Sequence, residues 1–138
     1  SCSNVKVEKD REIQFYSHVI HLVSKVTGKL KVDSNKIIGE TFPAGTLTGA
    51  PKHMAMQLIE KYESSKRSCY GGAIGFISFD YNYNHAIIIR SFLSKNKKLY
   101  FQAGAGIVSK SSKTNELNEV YNKVRALKKS IEQAENYE

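Results

Sequence analysis

The 138 residues match the size of one ordinary domain, and their 41% hydrophobic content predicts a globular protein with its own core. The net charge of +8 would suit an anionic substrate or a nucleic acid, but the lysines are scattered and no nucleic-acid-binding motif occurs. We therefore expect no nucleic-acid partner.

No apolar run of about 18 residues and no signal-peptide pattern is present, which predicts a cytoplasmic protein without a membrane segment. Cys2 and Cys69 have no metal-ligand partner nearby, and no disulfide is expected.

The first part of the chain predicts one strand followed by one short helix. Ile13 to Val26 is apolar and β-branched without a clear period, which is typical of a long strand buried on both faces, and Gly28 is expected to end it. Asp33 or Ser34 can cap a helix that continues to about Thr41.

A loop rich in glycine and proline separates this part from the next helix. The stretch FPAGTLTGAPK, Phe42 to Lys52, predicts a tight turn of the main chain. Pro51 is expected to start the helix that follows, because the first helical position needs no N–H donor. The apolar residues of that helix recur at helical spacing: Met54, Leu58, Ile59 and Tyr62.

Three antiparallel strands in succession are predicted next. Ala73 to Phe79 and Ala86 to Leu93 flank the polar turn DYNYN, and a second turn leads to Leu99 to Gln102, with extended chain through Val108. This meander and its flanking helices predict a mixed α/β fold of the α+β type, an antiparallel sheet with packed helices.

The last helix, from about Thr114 to Glu135, carries a charged stripe beside its apolar face. Glu116, Glu119 and Lys123 lie three and four residues apart and so share one side of the helix. The stripe is either a solvated row of ion pairs or a pair of carboxylates that binds Mg²⁺ while the lysine pairs with a substrate anion.

Two further side chains allow a structural and a functional interpretation. His21 lies among apolar residues, which favours a hydrogen-bonded core histidine over a general acid or base. Arg90 follows Ala86 to Ile89, and a guanidinium there needs a carboxylate, either from the protein or from a ligand.

Six ordered motifs, from Val5 to Ala126, resemble those of the chorismate-utilising enzymes. They are HVIHLVSKVTGKL, FPAGTLTGAPK, YGGAIGF, IIIR, YFQAGAGIV and ELNEVYNK. Within this family, YSHVIHLVS, the Ala-Gly-Thr form of the loop and CYGGA are more similar to the anthranilate synthase branch than to the aminodeoxychorismate or isochorismate branches.

The resemblance implies a reaction and a cofactor. Chorismate, a dianion, gains ammonia with loss of hydroxide and then eliminates pyruvate to give anthranilate, a step of tryptophan biosynthesis. Mg²⁺ neutralises the ring carboxylate and stabilises the departing hydroxyl. The family motif places one metal-binding acid at Glu119 and its acidic neighbour at Glu116.

The resemblance also assigns substrate contacts. Arg90 and Tyr70 match the positions that bind the enolpyruvyl carboxylate, which suits a guanidinium and a phenol hydroxyl. Gly104 and Gly106 lie in the matching glycine loop, where Gly106 corresponds to a backbone amide donor to the substrate. Lys123 is expected near the metal and the ring carboxylate.

Two catalytic roles follow from the same motifs. His21 matches the family histidine beside the reacting ring, where it acts as general acid or base in hydroxyl loss or pyruvate elimination. Thr46 is expected to offer a hydroxyl near the ring, although a purely structural turn is the alternative.

Family members are much longer, and this chain lacks the motif that carries the other metal-binding acid. Residues 1–138 are therefore expected to be the C-terminal portion of the catalytic domain, with poor Mg²⁺ binding and no turnover in isolation. The implied partner is a glutamine amidotransferase subunit that delivers ammonia. Two alternatives stay open: an aminodeoxychorismate synthase component I and a non-enzymatic basic module that binds nucleic acid.

Overall fold

A computed structural model describes residues 2–16, 20–80 and 82–137. The chain divides into two compact units, Ser1–Thr41 and Phe42–Glu138. Antiparallel strand pairs alternate with helices, which confirms the mixed α/β fold class.

The first unit contains a long β-hairpin where one buried strand was expected. Strand β1, Cys2–Phe15, pairs antiparallel with β2, Ile20–Leu30. The prediction of a single strand from Ile13 to Val26 is therefore wrong, and residues 17–19 of that segment lie outside the described residues. The β-branched pattern is the same on both sides of the reversal, so it did not show where the chain turns. Gly28 lies within β2 and does not end it.

A short helix, α1 at Ser34–Thr41, follows the hairpin. The Asp33 carboxylate accepts a hydrogen bond from the Asn35 backbone N–H at 2.7 Å, which satisfies one of the free donors at the start of the helix. This contact confirms the predicted helix and selects Asp33 as its capping residue.

The second unit begins with two helices. The loop predicted as a tight turn contains one helical turn, α2 at Gly45–Thr48, and α3 follows at Lys52–Tyr62. Pro51 has an extended ψ of 136° and lies just before α3, one residue earlier than the predicted first helical position.

Two separate hairpins replace the predicted meander. Strand β3, Ala73–Ile77, pairs with β4, Tyr83–Ile87, and β5, Leu93–Lys95, pairs with β6, Lys98–Tyr100. Residue 81 of the first turn is outside the described part of the chain. The meander prediction is wrong because the chain leaves the extended conformation between β4 and β5, where Arg90 has a φ of 53°. Residues 101–108 are irregular and do not extend β6.

The last helix, α4 at Lys113–Ala134, agrees with the prediction and continues into a 3-10 turn, Glu135–Tyr137. The Ser112 hydroxyl accepts a hydrogen bond from the Asn115 N–H at 3.3 Å and caps its start. On its apolar side Leu117 remains 48% exposed and Tyr121 64% exposed. Among the described residues, no helix is both long enough and apolar enough to cross a bilayer.

The expected hydrophobic core is missing from the described residues. None of them is buried, and large apolar side chains such as Ile20, Phe76 and Ile107 are more than half exposed. The physical reason is the topology, since each sheet has only two strands and leaves its faces open. The prediction of a self-contained core from composition alone is therefore wrong.

The turn between β3 and β4 gives a pH-dependent prediction. The Ser78 hydroxyl and the Asn82 side-chain amide donate hydrogen bonds to the Asp80 carboxylate. These hydrogen bonds hold the pKa of Asp80 below its ordinary value of 3.8, and the bond from Ser78 has the largest effect. Because folding lowers the pKa of Asp80, its ionised carboxylate stabilises the turn at pH values above the pKa of the unfolded state. This stabilisation is lost as the pH falls through the pKa of the folded state.

We expect the NMR signals of the Ser78 amide, which donates to Asn82 O at 2.8 Å, to shift toward unfolded values only below about pH 4. The Asp80→Asn variant, which cannot ionise, should show no such transition. A turn that opens with the same pH dependence in that variant would contradict the assignment.

Candidate functional site

Two of the predicted substrate-binding residues lie at the same end of the β3–β4 hairpin. Beyond the strand ends, the Gly71 N–H donates to Ile88 O at 2.9 Å, and the Ile88 N–H donates to Gly72 O at 2.9 Å. Two consecutive glycines thus bond to Ile88, and the regular pairing of the hairpin ends at Ala73 and Ile87. Tyr70 lies in the turn just before these bonds and Arg90 follows them by two residues, so the phenol and the guanidinium both start from this end of the hairpin.

Arg90 combines two features that bear on its role, and both are shared by Lys97. Its φ of 53° lies in the left-handed region, which is strained for a residue with a long side chain. Its side chain is exposed, and no described carboxylate forms an ion pair with it. Of the two interpretations of this residue, a carboxylate from a ligand is therefore favoured over one from the described protein.

A row of contacts leads from Tyr70 to helix α4. The Tyr70 hydroxyl is 3.5 Å from the point where a Cβ on Gly104 would stand, so the phenol lies against this glycine. The Gly104 carbonyl accepts a hydrogen bond from Lys123 Nζ at 2.9 Å. Lys123 Nζ in turn lies 2.6 Å from Glu119 Oε1. Four predicted site residues, Tyr70, Gly104, Lys123 and Glu119, are thus connected.

The ammonium of Lys123 therefore has two partners, one on each side. It forms an ion pair within α4 and also tethers the glycine loop to that helix. Its side chain is 34% exposed and that of Glu119 is 50% exposed, so water and small ions reach both. The stripe predicted on α4 contains an ion pair that is also part of the candidate site.

Arg67 joins this site although sequence reasoning did not select it. Its guanidinium binds the Glu63 carboxylate through Nε at 2.9 Å and donates from Nη1 to the Leu47 carbonyl at 2.6 Å. Its carbon Cζ lies 5.6 Å from the centre of the Tyr70 ring. The Glu63 carboxylate, accepting these hydrogen bonds, raises the pKa of Arg67 above its usual value. The spacing of four residues between Glu63 and Arg67 was the only signal available in the sequence.

A cavity of about 540 Å³ next to Arg67 is lined by residues of α2, α3 and the segment 63–71. Leu47, Met56, Ile59 and the two carboxylates Glu60 and Glu63 are among its lining residues. Of the predicted site residues, Tyr70 alone contributes to it. The lining also includes the cations Lys66 and Arg67, but the other predicted site residues lie elsewhere, so we place the candidate site on the Gly104 side of Tyr70.

The remaining predicted residues of this unit stand outside the row of contacts. Thr46 is exposed in α2, next to the Leu47 carbonyl that accepts from Arg67. Gly106 is exposed, and a Cβ placed there would have no atom within 4 Å. The main chain at Gly106 is therefore accessible to a ligand, in keeping with the predicted role of its amide.

His21 belongs to the first unit, where it lies on β2 opposite Gln14. Its ring is tilted against that of Tyr16 with centroids 5.4 Å apart, and the residue is exposed. The interpretation of His21 as a buried core histidine is therefore wrong, because the hairpin leaves both of its faces open.

The acidic residues of α4 supply part of a metal site. Glu116 lies in the first turn, is half-buried, and stands one helical turn before Glu119. Carboxylate oxygens are the ligands that Mg²⁺ prefers, and the ion commonly takes one or two of them with water in the other positions. The described residues contain no group of three or more His, Cys, Asp or Glu side chains placed to hold a metal. The pair therefore fits Mg²⁺ by its chemistry but not as a complete site.

Comparison with known proteins gives a consistent family match. Residues 1–129 match the chorismate binding enzymes. The chain is 46% identical over 134 residues to anthranilate synthase component 1 of Aquifex aeolicus, covering 96% of this chain and 27% of that protein. It is 48% identical over 133 residues to the same component of Mycobacterium tuberculosis H37Rv, covering 95% and 26%.

A crystal structure of anthranilate synthase component I from Streptococcus pneumoniae TIGR4 has a similar fold. It superposes with a TM-score of 0.81 at 43% identity, over 86% of this chain and 28% of that one. The chain thus spans about a quarter of the length of the relatives it matches.

Proposed function

This chain belongs to the family of chorismate binding enzymes, and from that premise we propose that it is the C-terminal portion of the catalytic domain of an anthranilate synthase component I. The complete cytoplasmic enzyme converts chorismate and ammonia to anthranilate and pyruvate in tryptophan biosynthesis. The observation that carries the proposal is the row of contacts from Tyr70 through Gly104 and Lys123 to Glu119. It links the Tyr70 hydroxyl, suited to one carboxylate of a dianion, to the acidic side chain of Glu119, suited to a metal that binds the other carboxylate.

At the first end, Arg90 and Tyr70 bind the enolpyruvyl carboxylate of chorismate. The exposed guanidinium offers parallel N–H donors that fit two carboxylate oxygens, and the phenol adds a third hydrogen bond. The support for this role is the location of both residues at the same end of the β3–β4 hairpin and the lack of a described carboxylate paired with Arg90.

At the second end, Glu116 and Glu119 hold Mg²⁺ as part of its coordination shell. The bound ion supplies charge to neutralise the ring carboxylate and the departing hydroxyl. Lys123 keeps Glu119 and the glycine loop together, since its ammonium contacts both. The Gly106 amide, exposed on that loop, donates to the substrate.

Thr46 and His21 act on the ring of the substrate. Thr46 presents its hydroxyl from the exposed α2 turn, and His21 exchanges a proton during hydroxyl loss or pyruvate elimination. The exposure of His21 supports this role, because an imidazole must be accessible to exchange protons with a substrate.

The rest of the synthase covers the apolar faces that this chain leaves open. A chain that spans 27% of a relative and buries none of its described side chains lacks the surroundings that exclude water from a reaction site. The remaining metal ligands and the glutamine amidotransferase subunit that delivers ammonia also lie outside it.

The test is a product assay on the full-length protein with chorismate, ammonium and Mg²⁺. Anthranilate fluorescence and pyruvate, measured with a lactate dehydrogenase couple, should increase together. Formation of aminodeoxychorismate without pyruvate would assign the protein to that branch, and the lack of any chorismate consumption would overturn the proposal.

The isolated chain of 138 residues provides a second, separate prediction. In the same assay it should form no anthranilate, because half a metal site binds Mg²⁺ weakly and water enters the open site. Turnover by this chain alone would show that the missing part is dispensable for the chemistry.

A further inference from the structure

We propose that Arg67 is a positioning residue that holds the Tyr70 phenol in its substrate-binding place. The inference rests on the proposed function for the identity of the substrate, but the contacts that carry it belong to this chain. Arg67 does not touch the reacting atoms and acts through Tyr70.

The geometry of the guanidinium explains why an arginine is needed here. Arg67 directs Nε and Nη2 at Glu63 and Nη1 at the Leu47 carbonyl, and its Cζ lies over the Tyr70 ring, 5.6 Å from the ring centre. A guanidinium has five N–H donors in a rigid plane and can serve all three directions at once. A lysine ammonium carries the same charge but is a point donor without a face to stack.

The environment of Arg67 fits a fixed side chain. It is 24% exposed, and its partner Glu63 is 33% exposed, so the pair lies among the more enclosed charged groups of the described chain. Glu63 follows the end of α3, and Leu47 belongs to α2. Arg67 therefore connects two helices to the segment that leads into β3.

Tyr70 is held at three points as a consequence. Its ring lies over the guanidinium, its N–H donates to the Arg67 carbonyl at 2.9 Å, and its hydroxyl lies against Gly104. A phenol held in this way loses little conformational entropy when a carboxylate binds, and this increases the affinity for the carboxylate. Without Arg67 the hydroxyl keeps its chemistry but loses its fixed position.

The consequence for the reaction is specific to substrate binding. A hydrogen bond to the enolpyruvyl carboxylate is made in the ground state and in the transition state alike, so its loss raises KM and leaves kcat nearly unchanged. An effect of Arg67 that passes through Tyr70 must therefore disappear when Tyr70 has already lost its hydroxyl.

The test is a double-mutant cycle in the full-length protein with Arg67→Lys, Tyr70→Phe and both. Each single change should raise KM for chorismate by about tenfold, with kcat within about threefold, as expected for one hydrogen bond to a charged group. The double variant should also show about a tenfold rise. A rise of about a hundredfold in the double variant would show independent effects and would overturn the proposal. Arg125→Lys, at an exposed position of α4, is the matched control and should leave KM unchanged.

Amide hydrogen exchange provides a readout that does not need the reaction. Arg67→Lys should speed exchange at Gly71 and Gly72, whose amides donate to Ile88 and Cys69, by about tenfold, while α4 keeps its rate. Unchanged exchange at these two amides would overturn the proposal. Faster exchange in a protein that forms no anthranilate would support the role of Arg67 and refute the proposed function instead.

Discussion

Arg90→Ala in the complete synthase is expected to lower kcat/KM for chorismate by about 100- to 1,000-fold. Removing one member of a hydrogen-bonded charge pair in an enclosed complex costs about 3 to 4 kcal/mol, and each 1.4 kcal/mol is about a factor of ten. The expected loss is large because no described carboxylate satisfies this guanidinium and the proposed function makes the substrate its partner. Steady-state kinetics with chorismate as the varied substrate measures the effect.

A glycine at the same position separates binding from stability. Arg90 has a φ of 53°, and glycine adopts such a conformation without steric cost. Arg90→Gly should therefore unfold at the same or a higher temperature than the parent while it loses the same affinity as Arg90→Ala. Arg125→Ala removes an equal charge from an exposed site on α4 and should leave kcat/KM within about twofold. If Arg90→Gly lowers stability and affinity together, Arg90 has a structural role and the substrate assignment fails.

Glu119→Gln is expected to lower kcat/KM by about 1,000-fold at saturating Mg²⁺. The amide keeps the shape of the side chain but removes the negative charge that attracts the metal, and metal stabilisation of the developing charge contributes several kcal/mol. The dependence of the rate on Mg²⁺ should also move to higher concentration. Calorimetric titration of Mg²⁺ into the full-length protein provides a measurement that does not depend on turnover.

The same helix supplies a matched control for this change. Glu132 pairs with Lys128 at 3.9 Å over four residues, as Glu119 pairs with Lys123, but it lies more than three turns further along and is 61% exposed. Glu132→Gln should leave both the rate and Mg²⁺ binding unchanged. Equal Mg²⁺ affinity in Glu119→Gln and in the parent would exclude Glu119 as a ligand, whatever happens to the rate.

Local sequence signals predicted the helices well and the sheets poorly. The Asp33 cap and the helical spacing of apolar residues in α3 and α4 depend on residues close together in the chain, and the structure confirms all three helices. Strand partners depend on where the chain reverses. The reversal between β1 and β2 carries no glycine, proline or asparagine, so the β-branched pattern read as one strand.

The candidate site shows the same division. The resemblance selected Tyr70, Gly104, Lys123 and Glu119, but their connection depends on a side chain that reaches a carbonyl 19 residues away, which no spacing rule describes. Arg67 was not predicted from the sequence for a similar reason, because its contacts with Leu47 and Tyr70 depend on the irregular backbone that follows α3. Which charged residues join the candidate site therefore depends on the fold and cannot be predicted from composition.

The open faces of the three hairpins give the net charge of +8 a physical consequence. Exposed strand edges and apolar side chains favour self-association, and lysines at the tips and edges, such as Lys97 and Lys98, oppose it by mutual repulsion. That repulsion weakens as dissolved ions shorten its range to about 8 Å at physiological ionic strength. For this chain alone, charge repulsion and not the burial of hydrophobic groups opposes self-association, so we expect the chain to aggregate as the salt concentration rises.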